Sequence, residues 1–262
     1  MALPPLSTGR AVVTGASQGI GMAMARDLAH LGYDVTLVAR RRNVLEEFAA
    51  ELPGSPEVFP CDLSDAAQRE QFNKYLRTTD VAVLVNSAGI ASFGPFMKQD
   101  WVYETQQFEL NASAVFEATR AVLPQMLERG KGAICNVGSA AGNVVIPNNA
   151  TYIFTKAGVN AFTEALHYEL QGTGVHCTLL APGPVREAHI PEEQQSIVDK
   201  VVPDFLWTTY ESCSQETLRA MSTNKRRVVP GPLSKFGSLV GRALPTALSA
   251  PLIGSFYAKM GE

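Results

Sequence analysis

Tyr152 and Lys156 stand four residues apart in the stretch ATYIFTKAG (150–158). In a helix that spacing sets a phenol and an ammonium one turn apart on a single face. A phenol, with an ordinary pKa of about 10, exchanges protons reluctantly at neutral pH. A nearby positive charge favours its ionised form, and such a pair can pass a proton to or from a carbonyl or alcohol oxygen. The plain alternative is a surface helix with an extended lysine. Taken alone the pair favours that alternative, because the spacing is frequent by chance. The elements that would have to position the pair decide between the two.

The chain has 262 residues, 46% of them hydrophobic and 18% charged, with a net charge of −3. That composition suits a globular protein with one sizeable core. No block of like charge runs along the chain, which argues against nucleic acid as a partner. Lys225-Arg226-Arg227 reads as a solvated edge before a strand. The four cysteines, at 61, 135, 177 and 213, lack metal-ligand spacing and fall mostly in apolar strand-like segments. They read as reduced, buried thiols of a cytoplasmic protein. The first ten residues do not resemble a secretory signal. No apolar run reaches the ~20 residues of a membrane span.

Short apolar runs alternate with helical patterns along most of the sequence. The strands are expected at 11–14, 34–40, 57–63, 81–89, 132–139, 175–183 and 226–231. Helices are expected at about 22–31, 43–52, up to about 75, 101–129 and on to about 170. This order predicts an α/β fold, a doubly wound parallel sheet of seven strands in a single domain, 1–262. Residues 188–225 interrupt the alternation and are expected to form a small helical lid. Residues 233–262 form an apolar tail that packs on the domain, joins a subunit interface or touches a membrane surface.

Directly after the first strand comes TGASQGIG, with Gly15, Gly19 and Gly21. Glycines between a strand and a helix allow a tight turn and let backbone N–H groups approach a pyrophosphate. The spacing G-x-x-x-G-x-G, with the motifs that follow it, resembles the short-chain dehydrogenase/reductase family. CDL (61–63), NSAG (86–89), Asn111, Ser139, the Tyr152–Lys156 pair and PGPV (182–185) occur in the family's order over residues 10 to about 187. The 3-oxoacyl thioester reductases and hydroxysteroid dehydrogenases are the branches most similar to it. The resemblance implies a Rossmann-type fold and a nicotinamide cofactor.

It also implies roles. Asn111, Ser139, Tyr152 and Lys156 would be catalytic. Tyr152 would exchange the proton and Ser139 would bond the same oxygen. Asn111 would steady a water that relays protons to Lys156, which would also bond the nicotinamide ribose. Gly15, Ser17, Gln18, Gly19, Ile20, Gly21, Asp62, Leu63, Asn86, Ala88, Gly89, Pro182, Gly183 and Val185 would line the cofactor site. One departure stands out: Glu187 occupies the place of the family's usual threonine beside the nicotinamide carboxamide.

Cofactor choice is read from the end of the second strand, LVARRR. An NAD-selective site usually has an acidic residue there, but Ala39 stands in its place and Arg40 and Arg41 follow. A guanidinium suits a 2′-phosphate, so NADP(H) is expected over NAD(H). The segments GIASFGPF (89–96) and NVVIP (143–147) are apolar, as are Ile197, Val198, Val201, Val202, Phe205, Leu206 and Trp207. The expected activity is reduction of a carbonyl, or oxidation of the alcohol, on a hydrophobic substrate. The alternatives are a dehydrogenase of small alcohols or sugars and a non-catalytic cofactor sensor on the same fold. The resemblance further implies a homodimer or homotetramer built on the long helices near 101–129 and 152–170.

Overall fold

In the computed structural model, residues 9–183, 185 and 207–231 are described. The strands are β1 (Arg10–Thr14), β2 (Val35–Ala39), β3 (Glu57–Pro60), β4 (Val81–Asn86), β5 (Gly132–Val137), β6 (Val175–Leu180) and β7 (Arg227–Val228). They pair in parallel in the order β3-β2-β1-β4-β5-β6-β7. The seven strands anticipated from the sequence are all present. Several end earlier than expected, because the residues after them turn away to build loops at the carboxyl edge.

The helices are α1 (Gly19–His30), α2 (Arg42–Glu51), α3 (Ala66–Thr78), α4 (Trp101–Phe108), α5 (Ala114–Arg129), α6 (Ala150–Glu169) and α7 (Tyr210–Ser222). Successive strand residues face opposite sides. Val13, Val85 and Cys135 therefore join one core with Met24, Leu28, Leu45, Phe48 and Met221. Val12, Leu84 and Ile134 join the other with Phe72, Leu76, Val122, Met126 and Leu166. Both faces of the sheet are covered, which is why its strands are apolar throughout.

Three local findings differ from the sequence reading. α1 begins at Gly19 rather than near Met22, because the glycines themselves form its first turn. The long helix expected over 101–129 is divided by a wide turn of π type, Glu109–Ser113. Arg226 and Arg227 are not a solvated edge. They lie 3.5 and 3.6 Å from Glu164, and Arg227 also donates to Asn143.

Within the segment expected to be a lid, residues 210–222 form α7, which packs on α1 and buries Cys213, Thr217 and Met221. Alternation thus resumes there. Residues 186–206 of that segment, with Glu187 and Phe205, lie outside the described residues, as do Pro184 and the tail 233–262. All four cysteines are free and buried, and burial raises each thiol; Cys61 and Cys213 reach about 11 and Cys177 about 12. Among the described residues no helix is long and apolar enough to cross a membrane.

Candidate active site

From β1 the chain runs outward to β2 and β3, then returns to the far side as β4. A crevice opens at that reversal, beyond the carboxyl ends of the strands. One wall is the glycine turn. Gly15 and Gly19 have φ of +68° and +62°, the left-handed region that glycine enters without strain. A β-carbon at Gly21 would lie 2.4 Å from the Gly15 carbonyl oxygen, and one at Gly15 would lie 2.8 Å from the Ala88 nitrogen. Thr14 Oγ1 accepts from Ser87 N and Ala88 N at 3.0 and 3.1 Å, tying the end of β1 to that of β4. No side chain caps α1, and no acid stands in its first turn. Those free N–H groups at the positive end of a helix suit a phosphate. The cradle therefore fits a dinucleotide.

Beside this turn, Arg41 reaches back to Ser17 Oγ at 3.2 Å and Gln18 Oε1 at 2.8 Å. Burial and the Glu104 charge raise the phenol of Tyr103 on α4, and the Arg40 charge lowers it. Asp62 accepts from Ser64 N and Oγ through one carboxylate oxygen, at 3.0 and 2.7 Å. Leu63 is buried, and its carbonyl accepts from Arg69. The Asn86 side chain turns inward, donating to Thr119 at 3.2 Å and Asn136 at 2.8 Å. Asn86 is thus held within the fold, with only its backbone near the crevice.

The opposite wall carries the reactive groups. Ser139 ends β5 and caps a short turn (Ala140–Asn143), its Oγ accepting from Ala141 N at 3.1 Å. α6 brings Tyr152, Lys156 and Asn160 along one face. Asn160 holds Ser139 at two points, accepting from its N at 3.3 Å and donating to its carbonyl at 2.9 Å. Gly138 leaves room for this: a β-carbon there would lie 1.9 Å from Asn160 Oδ1. The Ser139 hydroxyl lies close enough to the Tyr152 phenol to lower its pKa.

Lys156 is 6% exposed. Its Nζ donates to the Val137 carbonyl at 2.9 Å and lies 5.8 Å from the centre of the Tyr152 ring. Burial lowers this ammonium from 10.5 to about 8. Burial also raises the Tyr152 phenol, and the nearby Ser139 hydroxyl draws it partly back. Burial thus favours the neutral phenol, the form that donates a proton.

Asn111 lies in the wide turn and is fully buried. Its Oδ1 accepts from Ile90 N at 2.9 Å, while its Nδ2 donates to the Ile90 carbonyl at 2.8 Å and to Thr155 Oγ1 at 3.3 Å. A β-carbon at Gly89 would lie 3.1 Å from Asn111 Oδ1 and 3.4 Å from Lys156 Nζ. Gly89 thus lets Asn111 and Lys156 converge on one spot. Pro182 accepts from Ala140 N at 2.9 Å, and Val185 bridges to Thr208; Gly183 stands between them at the crevice. Asn160 and Thr155 were not singled out from the sequence, although Asn160 stands at the same four-residue spacing after Lys156 as Lys156 after Tyr152.

This fold and site define an α/β oxidoreductase that works with a nicotinamide cofactor. The profile described as short chain dehydrogenase matches residues 10–196, and the chain belongs to the short-chain dehydrogenase/reductase family. It is 30% identical over 253 residues to the ketoacyl reductase HetN of a Nostoc species, covering 92% of this chain and 87% of that one. It is 36% identical over 174 residues to a very-long-chain 3-oxoacyl-CoA reductase of Anas platyrhynchos, covering 63% and 56% of the two chains. Among solved structures, a short-chain dehydrogenase from Sphingobium yanoikuyae in complex with NADPH superposes with a TM-score of 0.79 at 27% identity, covering 90% of this chain and 93% of that one.

Proposed function

We propose that this oxidoreductase uses NADP(H) to reduce a carbonyl on a hydrophobic substrate such as a 3-oxoacyl thioester or a steroid. The observation that carries the reading is Tyr152 with Lys156 one turn away on the same face of α6, its Nζ 5.8 Å from the phenol ring, beside Ser139 and across the crevice from the glycine cradle. When bound, the reduced nicotinamide supplies the hydride, a proton and two electrons, to the carbonyl carbon. Tyr152 gives its phenolic proton to the carbonyl oxygen as the C=O bond becomes C–O–H. Ser139 donates a hydrogen bond to that oxygen and stabilises the charge gathering there. Lys156 would return a proton to the phenol, supplied through a water that Asn111 steadies. Asp62, Ala88, Gly89, Pro182, Gly183 and Val185 line the cofactor, with Asn86 contributing backbone alone.

The preference for NADP(H) is supported by Ala39 at the end of β2, where no carboxylate repels a 2′-phosphate, and by the two arginines after it. Arg41, beside Ser17 and Gln18, is the better placed of the two. An apolar substrate is supported by Ile90, Val144, Val145 and Ile146 around the crevice, with Val145 52% exposed. The names of the relatives agree with it. The test is NADPH consumption with 3-oxoacyl thioesters, steroids, small aldehydes and sugars. Turnover with either of the first two classes, and little with the last two, is expected; preferential turnover of sugars refutes the reading.

A second copy of the chain would cover the outer face of α4, α5 and α6. Phe108 stacks on Phe154 at 5.5 Å, and Phe116 packs on Phe162, yet Phe154, Phe116 and Trp101 remain 65%, 57% and 71% exposed. Sedimentation should show a dimer or tetramer that Phe154→Lys weakens; a monomeric wild-type chain refutes this arrangement.

A further inference from the structure

The glycine turn has a wall supplied from far along the chain. Tyr210, the first residue of α7, points its ring at Gly19. A β-carbon at Gly19 would lie 3.4 Å from the Tyr210 Cε1, 3.6 Å from its Cζ and 3.8 Å from its phenolic oxygen. The hydroxyl-bearing edge of the ring therefore faces the turn where α1 begins.

That placement is fixed from behind. Thr209 caps α7, its hydroxyl accepting from Ser212 N at 3.1 Å. Ser214 Oγ donates to Asp27 Oδ2 of α1 at 2.6 Å. Ser214 and Thr217 are fully buried between α7 and the sheet side of the domain. The backbone that carries Tyr210 is thus held against α1.

We infer that Tyr210 is a cofactor-positioning residue whose hydroxyl donates a hydrogen bond to the pyrophosphate seated on the first turn of α1. The inference rests on the dinucleotide reading given above. Backbone N–H groups of the turn would hold a pyrophosphate from one side only. A phenol held at Gly19 would meet it from another. It adds a donor to a charged acceptor, the stronger kind of hydrogen bond, and its rigid ring loses little freedom in doing so.

The test is titration of the full chain with NADPH and with adenosine 2′-monophosphate. The second probe has the adenosine and the 2′-phosphate but no pyrophosphate. Tyr210→Phe should bind NADPH about tenfold more weakly, as expected for one lost bond to a charged group. Tyr210→Ala should lose at least as much. Both variants should bind adenosine 2′-monophosphate as the wild type does. Tyr210→Phe keeps the ring, so its thermal midpoint should match the wild type and any loss can be assigned to the hydroxyl. Unchanged NADPH affinity in Tyr210→Phe overturns the inference. Equal weakening of both probes also overturns it, since the residue would then act through the fold. A wild-type chain that binds no NADPH overturns the dinucleotide reading as well, an outcome distinct from the other two.

Discussion

On the β1–β3 side of the crevice the groups facing the cofactor site are backbone N–H groups and exposed arginines, whereas on the β4–β6 side they are buried side chains held at two or more points. Gly15, Gly19 and Gly21 offer no side chain, and Arg40 and Arg41 stand in solvent. Ser139, Asn111 and Lys156 are 7%, 0% and 6% exposed, and each is tied to backbone. The difference follows from the tasks. A pyrophosphate is large and charged, and a converging set of N–H groups holds it without accurate side-chain placement. Proton transfer requires donor and acceptor within hydrogen-bond reach, so the groups that perform it are locked in the interior. The glycine side can therefore be altered in affinity with little harm to the chemistry, and Tyr152 on the other side in chemistry with little loss of binding.

The largest expected break is Tyr152→Phe. It should lower kcat by about 10²–10⁴-fold, the usual contribution of a positioned acid, while NADPH affinity and thermal midpoint stay near wild type. Near-normal turnover would remove Tyr152 from the mechanism.

Next is Lys156→Met, read through stability against pH. The folded chain holds this ammonium at about 8 rather than 10.5, so between those values the unfolded chain binds more protons, and stability from this group rises with pH. Below about pH 8 both states are charged and the cost of burial is fully present. It should fade as the pH climbs toward 10.5. The cost is on the order of 3 kcal/mol. Denaturant titrations at pH 7 and 10 should show the wild type gaining on Lys156→Met at the higher pH. A difference that does not change with pH refutes the burial account.

Smaller is Arg41→Ala, which should cut the preference for NADPH over NADH about tenfold, one charge-assisted contact, with kcat at saturating cofactor unchanged. Arg40→Ala should have the lesser effect, because Arg41 is the one that reaches Ser17 and Gln18 of the glycine turn. If Arg40→Ala alone abolishes the preference, the assignment of the two arginines is reversed.

The glycine turn, the seven strands and the four-residue spacing of Tyr152 and Lys156 were legible because each is local: a few residues whose types fit one turn, one strand or one helix face. What escaped was set by distant packing. Asn160 matters because Gly138 lets it reach Ser139, and Tyr210 because α7 lies on α1. The inward turn of Asn86 depends on Asn136 and Thr119, two elements away. Nothing in the sequence marks Glu104 and Gln107, which are buried on α4 at 4% and 0% exposure. The division of labour between Arg40 and Arg41 also depends on which of them reaches the glycine turn.

The turn at Glu109–Ser113 has one further consequence, best seen as counting. Each residue of a regular helix advances the direction of its side chain by about 100°. A wide turn absorbs one residue more than a regular turn does, so it resets the phase of everything that follows. The buried line of α4 and that of α5, with Ala114, Ala118 and Val122 inward and Phe116 outward, need not share one angular origin. Loss of a single residue from 109–113 would turn the wide turn into a regular one and leave α5 facing the sheet as before, but it would draw Asn111 away from its bonds to Ile90. The same loss within α5 would rotate all that follows by about 100°, so the helix tolerates a change of length only at the wide turn, and Asn111 does not.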